Sequence, residues 1–296
     1  MAELAQTVEF PRPRISWPTK WPFWQLVMLM ALVFWIYAPV LGRLVRQWWT
    51  DPNFSHGFFV PAFSLYVLWQ NREKLRSVPP SPSSWGLGLV LLSLCTLILG
   101  VFGAELFLSR ISLVFLLAGM IIFLSGWQML RAVLFPLAFL VLMVPIPSIV
   151  LNEITFPLQI LASKLSASLL PLLGVPVLRE GNVINLPAMP LEVADACSGI
   201  HSLLSLTCLA VMYGYLLEKR VGIRVILAIA SIPIAVAANA FRIVGTGLLV
   251  QYWDPDKAEG FFHQFTGWLI FVVSLLMLFG LHFLITFNAR RREQRA

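Results

Sequence analysis

Three polar side chains of different chemical types lie next to long apolar stretches of this sequence. Cys197 follows Asp195 at the start of an apolar run that continues to about Leu217. Arg242 falls in the second half of a later apolar run, and His263 precedes the last one. A thiol, an imidazole and a guanidinium can act as nucleophile, proton carrier and oxyanion stabiliser. These residue types predict acyl transfer through a thiol, provided that the fold brings them together.

The sequence around Cys197 favours a reactive thiolate. Asp195 can cap the N-terminus of the following helix, which places Cys197 in the first helical turn. The positive end of a helix dipole there lowers the pKa of a thiol. The alternative is that Cys197 is only a small apolar residue that packs well. Cys95 and Cys208 lie within apolar runs and are predicted to be packing residues.

The composition defines the class of protein. Of 296 residues, 59% are apolar and only 12% are charged, which is typical of a polytopic α-helical membrane protein. In such a protein the net charge of +7 reflects orientation in the lipid bilayer, so no nucleic-acid partner is expected. The four histidines show no metal-ligand spacing, and neither a metal nor a cofactor is predicted.

The fold class that we predict is all-α, with about eight transmembrane helices, a short outer hairpin and an interfacial helix. The spans are expected at about 22–42, 57–70, 86–103, 107–125, 132–150, 196–217, 225–250 and 264–288. The second is weak, because its apolar stretch is short for a full crossing. Residues 1–21 form a cytoplasmic segment, 22–288 the membrane-embedded domain, and 289–296 a basic cytoplasmic tail.

The distribution of positive charge predicts the orientation. A cytoplasmic N-terminus with eight spans puts 14 of the 21 Lys and Arg residues on the inner side, which agrees with the positive-inside rule. If 57–70 did not cross, the Arg-rich tail would face outward, so we retain it as a span. This topology brings Cys197, Arg242 and His263 to one level at the outer face.

The longest segment between spans, about 151–195, is predicted to lie outside. Its first part, 152–173, has the mixed polarity of a helix lying along the interface. Its second part reads as a short hairpin with the turn at 180–182. Arg179, in this hairpin, is a candidate docking residue for a substrate.

Other residues at the outer face are candidates for binding. Asn239 is three residues before Arg242 and shares its helix face, although Arg242 could instead be a snorkelling side chain. His201 lies one turn after Cys197 and competes with His263 for the role of base. His56 could line the site, whereas His282, in the inner half of the last span, is predicted to be structural.

Three separated motifs resemble those of the exosortase/archaeosortase family, specifically the bacterial exosortases. They are Glu192-Val-Ala-Asp-Ala-Cys-Ser-Gly-Ile200, Asn239-Ala-Phe-Arg242, and His263 with Gly267-Trp268. The stretch Ser55-His-Gly-Phe58, followed by Pro61, resembles the N-terminal signature of that family. The resemblance covers most of the chain.

The resemblance implies a catalytic triad of Cys197, Arg242 and His263 in a membrane-embedded cysteine peptidase or transpeptidase. It implies substrates that are secreted proteins with a C-terminal PEP-CTERM signal: a Pro-Glu-Pro motif, a transmembrane helix and a basic end. It also implies the inner membrane of a Gram-negative bacterium that makes exopolysaccharide, with the site facing the periplasm. Arg179, His56, His201 and Asn239 are then expected to bind substrate.

The sequence departs from the family pattern in two places. His201 stands where the family usually has an arginine, which leaves it as a possible second base. The chain also stops soon after the last span, without the periplasmic domain that some exosortases carry. That role would be absent or supplied by a separate periplasmic accessory protein.

Two other functions compete with the peptidase hypothesis. One is a transporter or polysaccharide-export subunit, but the spans lack intramembrane acids and an evident inverted repeat. The other is a lipid-linked glycan transferase, but the outer loops lack an acidic pair with metal-ligand spacing. A covalent adduct on Cys197 would separate the peptidase from both.

Overall fold

The computed structural model describes residues 23–192, 199–252 and 261–293. In these ranges it consists of ten α-helices, three 3₁₀ helices and one small sheet. The α-helices are α1 Phe23–Thr50, α2 Phe59–Gln70, α3 Arg72–Arg76, α4 Trp85–Phe102, α5 Leu106–Ser125, α6 Trp127–Phe139, α7 Ser148–Leu169, α8 Gly199–Leu217, α9 Val221–Tyr252 and α10 Phe261–Glu293. Six of them, α1, α4, α5, α7, α9 and α10, are long and apolar enough to cross a membrane. The predicted all-α polytopic class is confirmed.

Helices α1, α2, α4, α5 and α6 share one core with the middle of α8. Tyr37 of α1 is fully buried, and its hydroxyl lies 3.0 Å from the Ser112 hydroxyl of α5. Helices α4 and α5 form a closely packed hairpin, because a Cβ on Gly119 would lie only 2.8 Å from the Val90 backbone nitrogen. Small residues allow this close approach of helices in a membrane.

The weak second span is a composite of two helices. A 3₁₀ helix of 7 residues, Pro52–Phe58, runs directly into the 12 residues of α2. Laid end to end, they measure about 32 Å, close to the hydrocarbon thickness of a bilayer. The Ser64 hydroxyl of α2 donates to the Pro136 carbonyl of α6 at 3.0 Å. The length supports treating this segment as a crossing.

The predicted boundaries of the fifth span are wrong. Helix α6 begins at Trp127, ends at Phe139 and continues as a 3₁₀ helix over Leu140–Met143. The expected span of 132–150 is interrupted by Pro145 and Pro147, which lack the N–H that a continuing helix needs. The chain starts again as α7 at Ser148.

Helix α7 covers most of the segment that we predicted to lie along the interface. Its length and composition would also allow it to cross a membrane. However, the Ser163 hydroxyl, beyond its midpoint, donates to the Gly181 carbonyl of the hairpin at 3.2 Å, and Lys164 is exposed. If α7 crossed the bilayer, this polar hairpin would lie at membrane depth. The contact favours the interfacial arrangement.

The predicted hairpin is confirmed, and the structure adds a third strand that the sequence analysis missed. Strands β1 Leu178–Glu180, β2 Val183–Asn185 and β3 Pro190–Glu192 form an antiparallel sheet in chain order. Gly181 turns the first pair with φ +63°, a conformation that favours glycine. Pro190 in β3 is consistent with an edge strand, because proline cannot donate to a ladder.

Helix α9 joins two separate apolar cores. Its second half belongs to a sheet-side cluster, consisting of Ala162, Leu170, Val175, Ile184, Leu186, Leu191, Val236, Ala240, Ile243, Val244 and Val250. Its first half belongs to a tail-side cluster, consisting of Leu206, Ala210, Ile223, Leu227, Ile234, Ala235 and Leu278. Pro233 lies inside the helix where the two clusters meet.

His282 has a structural environment, as expected. Its Nδ1 lies 2.7 Å from the Tyr213 hydroxyl, and its Nε2 lies 3.5 Å from Glu218 Oε2 in the loop between α8 and α9. The backbone N–H groups of Arg220 and Lys219 donate to the same carboxylate, and the first of these is the main cause that lowers the pKa of Glu218. These contacts hold α10 against the end of α8.

Candidate active site

Helix α9 carries Asn239 and Arg242 on one face and buries both. Their side chains are 9% and 5% exposed. A snorkelling arginine keeps its guanidinium in water, whereas protein covers Arg242. Between these two residues, the Ala240 carbonyl accepts a hydrogen bond of 3.1 Å from the Ser166 hydroxyl of α7. The burial argues against the snorkelling alternative.

The guanidinium of Arg242 lies against Gly267 of α10. A Cβ built on Gly267 would lie 3.8 Å from Nη2 and 3.9 Å from Cζ of Arg242. His263 precedes Gly267 by four residues in the same helix, so the two positions share a helix face. The structure thus brings Arg242 to the turn that follows the His263 position. Gly267 belongs to a motif of the sequence, but its residue type alone predicts no role; its spacing of four residues from His263 is the signal that could have done so.

The segment that carries His56 is wedged against Trp48. Trp48 donates from its indole nitrogen to the Met143 carbonyl at 3.1 Å. A Cβ on Gly57 would overlap the Trp48 indole, so only glycine allows this packing. His56 is 9% exposed, and its 3₁₀ helix contacts α8. The motif resembling the N-terminal signature therefore packs on the helix that follows Cys197.

Arg179 lies in the sheet, at the same end of the molecule as Arg242. It pairs across the hairpin with Ile184, which packs in the sheet-side cluster with Ile243, the neighbour of Arg242. Its Nη1 donates to the Gly181 carbonyl at 2.6 Å. The sheet-side cluster thus links the strand pair that carries Arg179 to the part of α9 that carries Arg242.

The other candidate residues are Cys197, His201 and His263. Cys197 and its predicted cap Asp195 lie outside the described residues. Strand β3 ends at Glu192 and α8 begins at Gly199, so His201 is the third residue of α8. His263 is likewise the third residue of α10.

Comparison with known proteins decides the family. The family model for transmembrane exosortases matches residues 48–280. The chain belongs to the transmembrane exosortase family. No curated protein and no solved structure matches the chain significantly. The matched range of this exosortase contains every candidate site residue from His56 to His263, while most of α1 and the basic tail lie outside it.

Proposed function

We propose that this exosortase is a cysteine peptidase or transpeptidase that cleaves the C-terminal PEP-CTERM signal of secreted proteins. The observation that carries the proposal is the buried Arg242 guanidinium against Gly267, one turn after His263. A charge inside a membrane protein is costly and generally marks a functional site. In this protein the buried charge of Arg242 lies near the start of α10, the helix that carries His263.

The proposed reaction has two steps. The Cys197 thiolate attacks the substrate carbonyl carbon, and Arg242 stabilises the oxyanion of the tetrahedral intermediate. His263 gives a proton to the leaving nitrogen, the C–N bond breaks and a thioester remains on Cys197. Water or another nucleophile then loses a proton to His263 and attacks the thioester, which frees the thiolate.

Four further residues are proposed to hold the substrate tail. Arg179 would bind the glutamate between the two prolines. Its guanidinium has five N–H donors, so the bond to Gly181 leaves others for a carboxylate. Asn239 and His56 are proposed to line the site, and His201 to contact substrate where relatives usually carry arginine.

The cellular setting is also part of the proposal. We place the protein in the inner membrane of a bacterium that exports exopolysaccharide, with the site facing the periplasm. Its partners would be the tailed proteins, the bilayer and a periplasmic accessory protein.

The test is co-expression with a secreted protein that carries a PEP-CTERM tail. We expect a mobility shift and, by mass spectrometry, a new C-terminus at the tail. With the Cys197→Ala variant the substrate should remain at full length. With the unaltered enzyme, a quench that preserves thioesters should reveal a covalent adduct on Cys197 only when the tailed protein is present. An unchanged substrate with abundant enzyme would contradict the proposal and favour a transport or export role.

Labelling should establish the orientation. In a Cys197→Ala background, a cysteine placed at Asn182 in the hairpin is expected to react with an impermeant maleimide in intact spheroplasts. A cysteine at the exposed Ser77, between α3 and α4, is the matched control and should react only after permeabilisation. The reverse pattern would put the site on the cytoplasmic side.

Gly267 should tolerate alanine but not a long side chain. Its added Cβ would make an ordinary van der Waals contact with Arg242, whereas a leucine would displace the guanidinium. We expect Gly267→Leu to lower processing about 10²-fold, the scale of a misplacement of about 1 Å, and Gly267→Ala to remain active.

Gly280→Leu, in the same helix, is the control, because nothing lies within 4 Å of a Cβ there. Processing of a tailed substrate is measured in membranes with enzyme levels matched by blot. Equal activity of both leucine variants would remove Gly267 from the site.

A further inference from the structure

A second buried arginine, Arg110, lies in a helix other than those that carry Arg242 and Gly267. Arg110 is the fifth residue of α5 and is only 4% exposed. Helix α5 packs mainly on α4, α6 and α1, whereas Arg242 and Gly267 belong to α9 and α10. A guanidinium stays charged in proteins, so this charge needs compensation that the proposed peptidase chemistry does not supply.

The chain itself offers little compensation. The nearest opposite charge acting on Arg110 is that of Glu105, but a carboxylate oxygen of Glu105 caps α5 by accepting from the Phe107 N–H at 3.2 Å. Across the ranges 23–192, 199–252 and 261–293, Arg110 makes neither a side-chain hydrogen bond nor an ion pair within 4.0 Å. The other charge acting on it is the like charge of Arg43.

Arg43 approaches Arg110 because α1 and α5 run antiparallel. Tyr37 pairs with Ser112. Further along α1, the charge of Arg43 acts on Arg110, which lies two residues before Ser112 in α5. The positive charges of Arg43 and Arg110 repel each other. A dianionic or monoanionic group between them would relieve both the repulsion and the burial cost.

The level of the pair matches the headgroup boundary of a bilayer. Arg110 lies about 6 Å along α5 from Leu106, and Arg43 lies about 10 Å along α1 from Thr50. Trp49, at the same end of α1, is 82% exposed, as expected of an aromatic residue at a membrane interface. Arg43 is also exposed and so borders the lipid rather than the protein core.

We propose that Arg43 and Arg110, with Arg46 at the rim, bind the phosphate group of an anionic phospholipid between α1 and α5. Arginine suits this ligand because its planar fork can donate two parallel hydrogen bonds to phosphate oxygens. Arg110 is buried beneath the site, and the exposed Arg43 closes it from the lipid side.

Native mass spectrometry of the detergent-purified protein tests the site. We expect phosphatidylglycerol to remain bound, and diacylglycerol with the same acyl chains, which lacks the phosphate, to dissociate. Arg43→Gln should weaken the binding of phosphatidylglycerol at least about tenfold, the scale of losing one charge-assisted contact. Arg110→Gln should weaken it similarly.

If Arg110→Gln fails to fold, the Arg43→Gln variant still tests the proposal, because the Arg43 side chain is exposed and its replacement leaves the core unchanged. The matched control is Arg76→Gln, an exposed arginine of α3, which should bind phosphatidylglycerol within twofold of the unaltered protein. Equal affinity of the Arg43 and Arg76 variants, or equal retention of diacylglycerol, would overturn the proposal. Displacement of the lipid by millimolar inorganic phosphate would overturn the lipid assignment in favour of a free anion, and displacement by an acidic tail peptide would assign the pair to substrate.

Discussion

Cys197→Ser is expected to reduce processing of a tailed substrate to background, a loss of about 10³-fold or more. A neutral serine hydroxyl is a poor nucleophile in the proposed site, where the guanidinium of Arg242 and the helix dipole would stabilise a thiolate. The measurement is conversion of the tailed protein in membranes with matched enzyme levels. The reaction should also lose its sensitivity to thiol alkylation.

Two native cysteines provide the controls. Cys208 is 2% exposed in the core that α8 shares with α1, α2, α4, α5 and α6, and Cys95 is exposed on α4. Cys95→Ser should process substrate normally. Cys208→Ser should lose processing activity only in proportion to any fall in the amount of enzyme. Normal turnover by Cys197→Ser would exclude covalent catalysis at this position.

His263→Ala is expected to lose most of the processing activity, while His201→Arg retains it. A positioned general acid or base typically contributes about 10²–10⁴-fold. His263 comes from α10, whose next turn touches Arg242 through Gly267. In the proposed reaction an imidazole at this position would act close to the oxyanion. His201 shares α8 with the residues that follow Cys197, and arginine is the usual residue at its position.

The pH dependence of processing distinguishes a proton carrier from a structural histidine. If His263 carries the proton, the variant should lose the limb of the pH–rate profile that titrates near the ordinary histidine range. His201→Ala should keep that limb. Full activity of His263→Ala, together with its loss in His201→Ala, would assign the base to His201.

The sequence predicted those parts of the fold that depend on local pattern. Apolar length predicted the membrane helices, and Gly181 between two short strands predicted the hairpin. The prediction of the fifth span failed because the run around Pro145 and Pro147 is apolar in composition, yet the two prolines interrupt the helix and divide the run between α6 and α7. Strand β3 was missed because three residues containing a proline give no strand signal.

The candidate site was predictable by residue type but not by contact. Arg242 and His263 could be assigned to one level from spacing and charge bias. That Gly267 receives the guanidinium depends on how two helices pack, and no periodicity within either helix encodes it. Likewise, the burial of Arg110 depends on how neighbouring helices pack around α5, which no pattern within α5 encodes.

Pro233 gives α9 a preset point of flexure. It cannot donate to the Ile229 carbonyl, so bending there breaks no bond that the helix already has, and Pro is the usual cause of such bends. Just before this point, the Ser231 hydroxyl lies 2.9 Å from that of Thr207, which fastens the first half of α9 to α8. Beyond it, Val236, Ala240 and Ile243 pack in the sheet-side cluster, and the Ala240 carbonyl accepts from Ser166 of α7. Arg242 therefore lies on the half of α9 that can tilt about Pro233. If the proposed peptidase function holds, we expect such a tilt to admit and release the membrane segment of the substrate tail sideways from the lipid.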